Sequence, residues 1–449
     1  MTSAHDSISQ QTAQDQLPAK IQHAFWFQAF NAASWQIALG SPLILFAREL
    51  GAPAAVLGLL AGLVSLTSVL QLLVAPRADR IGYRTLMVKG WSARVGILLF
   101  MVLLPLTVDW LGAGTVVALT VLVMLGFTTM RGIATCAWMP WVAALVPRPV
   151  RGYYLSRDRT YVSVASVVAL AVSGLFLFGH TSLRAYSLVF GVSFLGGAVS
   201  LYFLNRIPVP PAGAGGDTKP VGPPTRWLEL LRDAPFRRLL IFSGAVQFCV
   251  LSTGTFVTVF VREEAGIQDG AILWLSAGAA LLGALSLLLL RHRVDRLGSR
   301  PFFMLVFVWW TVYFALWFAM AAGWIGAAWL VAPLLLLGAG FFAAIYDLAL
   351  TRLLMNTVSD HTASTQYFAL QSVIVSLLAG VAPILWGLLL DALRAREAPG
   401  AGVGGFALFF GLQWLLLGVV FLALGRVKEN DTVSLRAMVV RAVAAAAHR

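Results

Sequence analysis

Long apolar stretches, separated by short polar, glycine- or proline-containing breaks, recur along almost the whole chain. A helix needs about 20 mostly apolar residues to cross a bilayer. Twelve stretches meet this criterion and predict membrane-spanning helices, which we number from the N-terminus as the first to the twelfth span: about residues 24–47, 54–75, 84–106, 113–145, 158–179, 185–205, 239–261, 271–290, 301–320, 326–355, 365–389 and 405–425. The segments between them leave no room for a large domain outside the membrane.

The predicted spans fall into two sets of six. Residues 207–225 between the sets are rich in proline and glycine, a composition that favours neither helix nor strand. The charged and bulky residues that follow alternate at helical spacing, which predicts a short surface helix with Trp227 at headgroup level. We therefore divide the chain into a polar N-terminal tail (1–23), a six-span bundle (24–206), a linker with the surface helix (207–238), a second six-span bundle (239–425) and a C-terminal tail (426–449).

Composition supports an all-α membrane protein. Of 449 residues, 59% are hydrophobic and 11% charged, and the mean hydropathy is +0.84. A water-soluble domain carries more polar surface than this. The first 20 residues are polar and lack the basic and apolar regions of a secretory signal. Cys136 and Cys249 both lie in apolar stretches, so we predict that they pack in the core and form neither a disulfide framework nor a metal site.

The net charge of +13 could indicate a nucleic-acid partner, but its distribution favours another explanation. If both termini are cytoplasmic, most of the 32 Lys and Arg residues lie in the tails and the even-numbered loops. Basic residues accumulate on the cytoplasmic side of membrane proteins. The sequence therefore predicts a multi-pass protein of the bacterial inner membrane with both termini in the cytoplasm and no nucleic-acid partner.

A short motif repeats between the two sets of spans. The loop after the second span reads APRADRIGYR, and the loop after the eighth reads RHRVDRLGSR. At an offset of 216 residues, four positions recur in both loops: Asp79, Arg80, Gly82 and Arg84 in the first, and Asp295, Arg296, Gly298 and Arg300 in the second. Tyr153 and Tyr367, at the starts of the fifth and eleventh spans, form a further matched pair. The chain is thus predicted to contain two copies of a six-helix unit.

The repeated D-R-x-G-x-R loop resembles the signature loop of the major facilitator superfamily. The resemblance covers about residues 20 to 425 and implies two pseudo-symmetric six-helix bundles around a central cavity. It also implies that the loops act as a cytoplasmic gate, latching the halves together in the outward-open state. Asp79 can accept backbone N–H groups at a helix N-terminus, and Arg80 and Arg84 can bridge to groups of the other half. The alternative is that the arginines only determine topology.

Two charges lie well inside predicted spans, where an ion is costly and a functional role is the default hypothesis. Arg131 lies in the fourth span and Asp347 in the tenth, and the same offset of 216 relates them. The resemblance implies that the first, fourth, seventh and tenth spans line the cavity. We therefore expect Arg131 to attract an anionic group and Asp347 to bind a cationic group or a coupling proton. The alternatives are a structural salt bridge, or an Arg131 that reaches to the cytoplasmic side.

Uncharged side chains on the cavity-lining spans could orient a solute by hydrogen bonding or stacking. Interhelical hydrogen bonding is the alternative for each of them. The candidates are Asn31, Gln36, Gln247 and Thr253, with Trp35 and Tyr346 as aromatic neighbours.

Other features predict packing and not chemistry. Arg94 is expected to pair within the cytoplasmic half of the third span, and the Gly58 to Gly62 spacing predicts close helix packing. The chain lacks a phosphate-binding G-x-x-x-x-G-K-[ST] loop and an H-E-x-x-H motif, so it is predicted not to be an enzyme and to need no cofactor or metal.

The leading functional hypothesis is a monomeric secondary transporter for a small polar organic solute. Proton symport is the favoured coupling, because Asp347 is the acidic group placed well inside a predicted span. An exporter or facilitator of the same fold is one alternative. A membrane sensor or assembly factor that keeps the fold without transporting is another. The sequence does not identify the solute.

Overall fold

The protein is all-helical in the part of the chain that the computed structural model describes, residues 17, 20–71, 74, 81–147, 150–179, 182–209, 230–326, 328–358, 364–397 and 404–427. Within these residues, eleven helical segments are long and apolar enough to cross a membrane, and Ala54–Ser68 is a shorter apolar helix at the place of the second span. The prediction of an all-α, multi-pass membrane protein is confirmed.

The helices follow the predicted order. In sequence, the spans comprise Gln22–Leu39 with Ser41–Glu49 (first), Ala54–Ser68 (second), Tyr83–Leu103 with the short helices Leu104–Thr107 and Val108–Leu111 (third), Ala113–Thr135 with Trp138–Leu145 (fourth), Arg151–Phe176 (fifth), Leu183–Leu204 (sixth), Ala234–Cys249 with Leu251–Thr253 and Gly254–Glu263 (seventh), Asp269–Leu297 (eighth), Arg300–Ala321 (ninth), Ala328–Val358 (tenth), Ser364–Ala395 (eleventh) and Gly405–Arg426 (twelfth).

Several predicted boundaries were wrong because charged residues at helix ends were interpreted as loop. The fifth span begins at Arg151 and not at residue 158, and the eleventh ends at Ala395 and not at residue 389. These extensions place Tyr154 and Asp391 inside helices. The surface helix predicted around Trp227 and most of both predicted tails lie outside the described residues.

Four of the spans, the first, third, fourth and seventh, consist of more than one helix, and the fourth and seventh show what accompanies such a break. In the fourth span, Pro140 has no N–H and its ring would clash with the carbonyl of Cys136, so one helix ends at Thr135 and the next begins at Trp138. In the seventh span, the indole N–H of Trp386 donates to the Phe248 carbonyl at 2.7 Å, beside the helix end at Cys249. A side chain thus satisfies a carbonyl near the break.

The chain forms two compact units. The first comprises residues 1–52, 63–221 and 268–277, and the second comprises residues 53–62, 222–267 and 278–449. Each unit therefore contains most of one predicted bundle together with a short piece of the other half of the sequence. The start of the second span belongs to the second unit, and the start of the eighth belongs to the first.

Aromatic packing fixes the helices of the first unit. The Phe25 ring lies 5.0 Å from that of Tyr154, which joins the first span to the fifth. The Phe27 ring lies 4.9 Å from that of Trp138, which joins the first span to the fourth. All four side chains are at least nine-tenths buried. Rings of this size restrict the rotation of each helix about its axis, and so determine which side chains share an interior space.

In the second unit, the start of the second span packs against the eleventh through glycines. A Cβ at Gly58 would lie 2.0 Å from the Pro383 carbonyl oxygen, and one at Gly62 would lie 2.2 Å from the Gly380 carbonyl oxygen. The close packing predicted from the Gly58 to Gly62 spacing is confirmed. The two backbones approach so closely that no side chain fits between them.

Asp391 holds the same end of the second span. Its two carboxylate oxygens accept the backbone N–H groups of Ala54 and Ala55, each at 2.8 Å. A carboxylate at a helix N-terminus satisfies donors that have no intrahelical partner and complements the helix dipole. The sequence predicted this interaction type for Asp79, which lies outside the described residues. Asp391 was missed because the eleventh span was predicted to end before it.

Replacement of Gly62 by alanine is expected to destabilise the protein. Overpacking of a tight contact costs about 1–3 kcal/mol, so Gly62→Ala should lower the Tm by several degrees in detergent. Gly418→Ala is the matched control, because that glycine lies in a helix where an added Cβ would have nothing within 4 Å. The control should leave the Tm unchanged or raise it slightly. Equal Tm values for Gly62→Ala and the wild type would contradict the backbone contact.

Candidate functional site

A cavity of about 300 Å³, lined by polar, aromatic and aliphatic side chains, lies in the first unit. Four spans contribute its walls, and on three of them the lining residues recur at intervals of three or four, as one face of a helix requires. The lining residues are Phe27, Gln28, Asn31 and Trp35 of the first span, Met87 and Trp91 of the third, Arg131, Thr135, Trp138, Met139 and Val142 of the fourth, and Tyr154, Leu155, Asp158, Arg159 and Val162 of the fifth.

Arg131 lines this cavity and is partly buried. Among the residues that the structure describes, no carboxylate oxygen lies within the 4.0 Å of a salt bridge to its guanidinium. The backbone carbonyl of Arg131 accepts a hydrogen bond from the Thr135 hydroxyl at 2.6 Å. The cavity therefore presents a guanidinium whose charge is not balanced by a directly contacting carboxylate.

A chain of hydrogen bonds crosses the unit from the third span to the fifth. The Arg94 guanidinium donates to the Asn31 side-chain oxygen at 2.9 Å, the Asn31 amide donates to Gln28 at 3.4 Å, and the Gln28 amide donates to Asp158 Oδ2 at 3.5 Å. A cation at one end can only donate and a carboxylate at the other can only accept. The two amides between them are therefore oriented in one direction.

Arg94 is among the most buried polar side chains of the unit, with 1% of its surface exposed. Its guanidinium carbon lies 4.9 Å from the ring centre of Trp91 and 4.5 Å from that of Phe127. The hydrogen-bond partner is Asn31 of the first span. The expectation that Arg94 pairs within the third span was therefore wrong, because that expectation considered only neighbours along the sequence.

Asp158 and Tyr154 were not among the predicted site residues. Asp158 is 8% exposed and Tyr154 is 1% exposed, and both line the cavity one helical turn apart. Asp158 Oδ1 and the Tyr154 hydroxyl are buried without a hydrogen-bond partner. The spacing of the two in RGYYLSRDR could have drawn attention to them, but the predicted span began at residue 158 and left Tyr154 outside.

The structure places the remaining candidates of the first span in different surroundings. Asn31 and Trp35 line the cavity. Gln36 is partly buried in the same helix but is not among the lining residues. The helix breaks just after it, at Gly40, where an added Cβ would lie 2.2 Å from the Gln36 carbonyl oxygen.

The candidates of the tenth and seventh spans belong to the second unit. The Asp347 side chain is exposed, whereas Tyr346 is 4% exposed in an aromatic cluster and its ring lies 5.4 Å from that of Trp310. The Gln247 amide lies 3.4 Å from the Ser252 hydroxyl, and the Thr253 hydroxyl donates to the Val250 carbonyl at 2.6 Å. Gln247 and Thr253 thus bond locally beside the break in the seventh span.

The two repeated loops share a backbone feature. Gly82 has φ +86° and Gly298 has φ +85°, a region that favours glycine, and each precedes the helix of the next span closely. Arg84 donates to the Asn205 carbonyl at 2.9 Å, within its own unit. Arg300 is exposed. Asp79 and Arg80 lie outside the described residues, as do the side chains of Asp295 and Arg296, so the latch role stays a prediction.

Solved structures of transporters share this fold. The crystal structure of the nucleoside transporter NupG matches at a TM-score of 0.63 with 15% identity, covering 92% of this chain and 99% of that one. A D-xylose–proton symporter matches at 0.68 with 12% identity, over 92% and 98% of the two chains. A bacterial homolog of the human lysosomal transporter Spinster, inward-facing and unoccupied, matches at 0.62 with 16% identity, over 90% and 95%.

At these identities the likeness shows the fold alone. No curated protein matches the sequence. The sequence profile of the Major Facilitator Superfamily matches residues 24–372, which is well over half of the chain and includes both repeated loops, Arg131 and Asp347. With the helical architecture and the repeated turns, this match establishes that the chain is a multi-pass membrane protein belonging to the Major Facilitator Superfamily.

Proposed function

We propose that this chain is a monomeric secondary transporter that moves a small polar organic solute across the bacterial inner membrane by alternating access, coupled to protons. The distribution of Lys and Arg supports an orientation with both termini in the cytoplasm. One observation carries the proposal. The guanidinium of Arg131, on the fourth span, lines the cavity of the first unit, and no described carboxylate contacts it.

An uncompensated charge in a membrane span is costly to maintain. Two other buried or partly buried cations of this chain have protein partners. Arg394 forms a salt bridge with Glu263 at 2.9 Å. Arg94 donates to Asn31 at 2.9 Å and lies against aromatic rings. Arg131 instead faces a space large enough for a solute. A guanidinium binds carboxylate and phosphate oxygens through paired N–H groups. We assign Arg131 the role of binding an anionic group of the solute, with Asn31 and Trp35 beside it in the same cavity.

The second unit supplies the proposed coupling group. Asp347 is exposed within the tenth span, and no described basic residue lies within 4.0 Å of its carboxylate. A carboxylate without a permanent counter-ion can exchange a proton during the transport cycle. Asp347 is therefore proposed to carry the coupling proton, and the polar groups of Gln247 and Thr253 are proposed to lie along the solute path.

Uptake into liposomes tests the proposal. The purified protein would be reconstituted and supplied with radiolabelled sugars, amino acids and organic acids, with and without an inward proton gradient. Accumulation above the external concentration, abolished by a protonophore, is expected for at least one solute. Equilibration without accumulation would instead indicate a facilitator. Absence of any carrier-dependent flux across the panel would favour the non-transporting sensor and defeat the proposal.

Asp347→Asn is expected to separate coupling from translocation. Because the amide cannot take up a proton, accumulation driven by the proton gradient should fall about tenfold, to the level of equilibration, while exchange of labelled for unlabelled solute continues. Asp109→Asn is the matched control, since Asp109 is an exposed carboxylate in the short helix Val108–Leu111. Unchanged accumulation by Asp347→Asn would remove Asp347 from the coupling step.

A further inference from the structure

The cavity of the first unit has two opposite poles, and the proposed function uses only one of them. Arg131 provides the positive pole. Asp158 and Tyr154 provide the negative pole. Both residues line the cavity, and Asp158 Oδ1 and the Tyr154 hydroxyl are buried without a hydrogen-bond partner. From this arrangement we infer that the transported solute is a small zwitterion, whose anionic group binds Arg131 and whose ammonium group binds Asp158 Oδ1 and the Tyr154 hydroxyl.

The unused carboxylate oxygen is the central observation. Asp158 is 8% exposed, and Gln28 contacts only its Oδ2 atom, at 3.5 Å. A buried polar atom without a partner costs free energy unless a ligand satisfies it. The Tyr154 hydroxyl, one helical turn away on the same face, is in the same state. Together they offer two acceptor oxygens to one donor group of a ligand.

No described cation is in direct contact with the Asp158 carboxylate. Arg131 and Arg159 line the same cavity, but neither forms a salt bridge with it among the described residues. Arg159 is exposed, and Arg157 donates to the Tyr153 hydroxyl at 2.9 Å. Asn31 and Arg94 orient the Gln28 amide that contacts Asp158, because Arg94 donates to Asn31 and Asn31 donates to Gln28. The carboxylate is therefore positioned by Gln28 and forms no salt bridge with the guanidiniums that line the same cavity.

The cavity has room for a small solute. A volume of about 300 Å³ equals the share of about ten water molecules in the liquid. This admits a solute on the order of ten non-hydrogen atoms, such as an amino acid. A small anion would satisfy Arg131 and leave the Asp158 pole unpaired, whereas a zwitterion satisfies both poles and brings no net charge into the membrane interior.

This inference rests on the proposed function and is tested by thermal unfolding of the purified full chain. The panel contains the twenty amino acids at 10 mM, and for each amino acid that raises the Tm the matched deaminated carboxylate and decarboxylated amine. At least one amino acid is expected to raise the Tm by ~2–4 °C, as a ligand specific for the folded state does. Its deaminated and decarboxylated relatives should bind at least tenfold more weakly.

Three variants assign the two poles. Asp158→Asn and Arg131→Gln should each abolish the shift by the stabilising amino acid. Tyr154→Phe keeps the ring contact with Phe25 and removes only the hydroxyl, so it should weaken binding about tenfold with an unchanged ligand-free Tm. Asp109→Asn, an exposed carboxylate elsewhere in the unit, should keep the full shift.

Three results would overturn the inference: no amino acid shifts the Tm, the deaminated carboxylates stabilise as strongly as the amino acids, or Asp158→Asn keeps the full shift. The second result would indicate that Asp158 carries a proton while a plain anion binds Arg131. Failure of this inference can be distinguished from failure of the proposed function. If the reconstituted protein takes up a sugar or a monoanion, transport stands as the function and only the zwitterionic solute is rejected.

Discussion

Solute uptake by the Arg131→Ala protein is expected to fall about 100-fold below that of the wild type. Truncation of one partner of a buried, charge-assisted contact typically costs about 2–5 kcal/mol. Arg131 lines the cavity and has no contacting carboxylate among the described residues, so its guanidinium is available to bind the solute. Arg131→Lys retains the charge but loses the planar pair of donors, so it should recover only part of the activity. Initial uptake rates in liposomes, normalised to inserted protein, measure both effects.

Arg184→Ala is the control for this experiment. Arg184 is exposed in the first turn of the sixth span and does not line the cavity. It should transport at the wild-type rate. The Tm of Arg131→Ala provides a second readout. Because Arg131 has no contacting carboxylate among the described residues, its removal should not lower the Tm. Wild-type uptake by Arg131→Ala, or a loss of uptake explained wholly by a lowered Tm, would show that Arg131 is structural.

The second large effect is an asymmetry between the two ends of the Arg94–Asn31 hydrogen bond. Asn31→Leu leaves the guanidinium of Arg94 buried at 1% exposure without its 2.9 Å acceptor. Leaving a buried charge unpaired costs about 3–5 kcal/mol, whereas replacing it by an apolar side chain of similar volume is often neutral or stabilising. Asn31→Leu should therefore lower the Tm strongly, and Arg94→Met should leave it unchanged or raise it.

The double variant provides the decisive comparison. With neither polar group left unpaired, Arg94→Met combined with Asn31→Leu should recover most of the stability that Asn31→Leu alone loses, and the effects should be non-additive. Thr120→Val is the control, because the Thr120 hydroxyl bonds only within its own helix, to Val116 at 2.8 Å. Equal destabilisation by Asn31→Leu and Arg94→Met would contradict this account.

The Arg94→Met variant also distinguishes an effect on transport from an effect on stability. Asn31 links Arg94 to Gln28, and Gln28 contacts Asp158. Arg94→Met removes the donor that holds the Asn31 side-chain oxygen, so the Asn31 amide can rotate away from Gln28 and loosen the contact of Gln28 with Asp158. A protein of normal Tm and reduced uptake is the expected result for Arg94→Met, and it would identify Arg94 as a positioning residue for the cavity.

The spans, the repeat and the family follow from the sequence. Hydropathy is a local property, so apolar stretches predict membrane helices without knowledge of their neighbours. Boundaries failed where charged residues lie on the helix itself, as at Arg151 and Asp391. The repeated loops are visible because both copies of a duplicated unit keep the same turn, and the structure shows glycine with positive φ at Gly82 and Gly298.

The composition of the site was decided only by the tertiary structure. Sequence equivalence pairs Arg131 with Asp347, which lie in different compact units. Within the first unit, packing places Arg131 in one cavity with Asp158 and Tyr154. Which side chains meet between helices depends on the rotation and tilt of each helix, and contacts such as Phe27 with Trp138 set these across more than a hundred residues of chain. The rotation and tilt of a helix are not encoded in any local sequence pattern. The sequence therefore determines which charges enter the membrane, and only packing determines which of them meet.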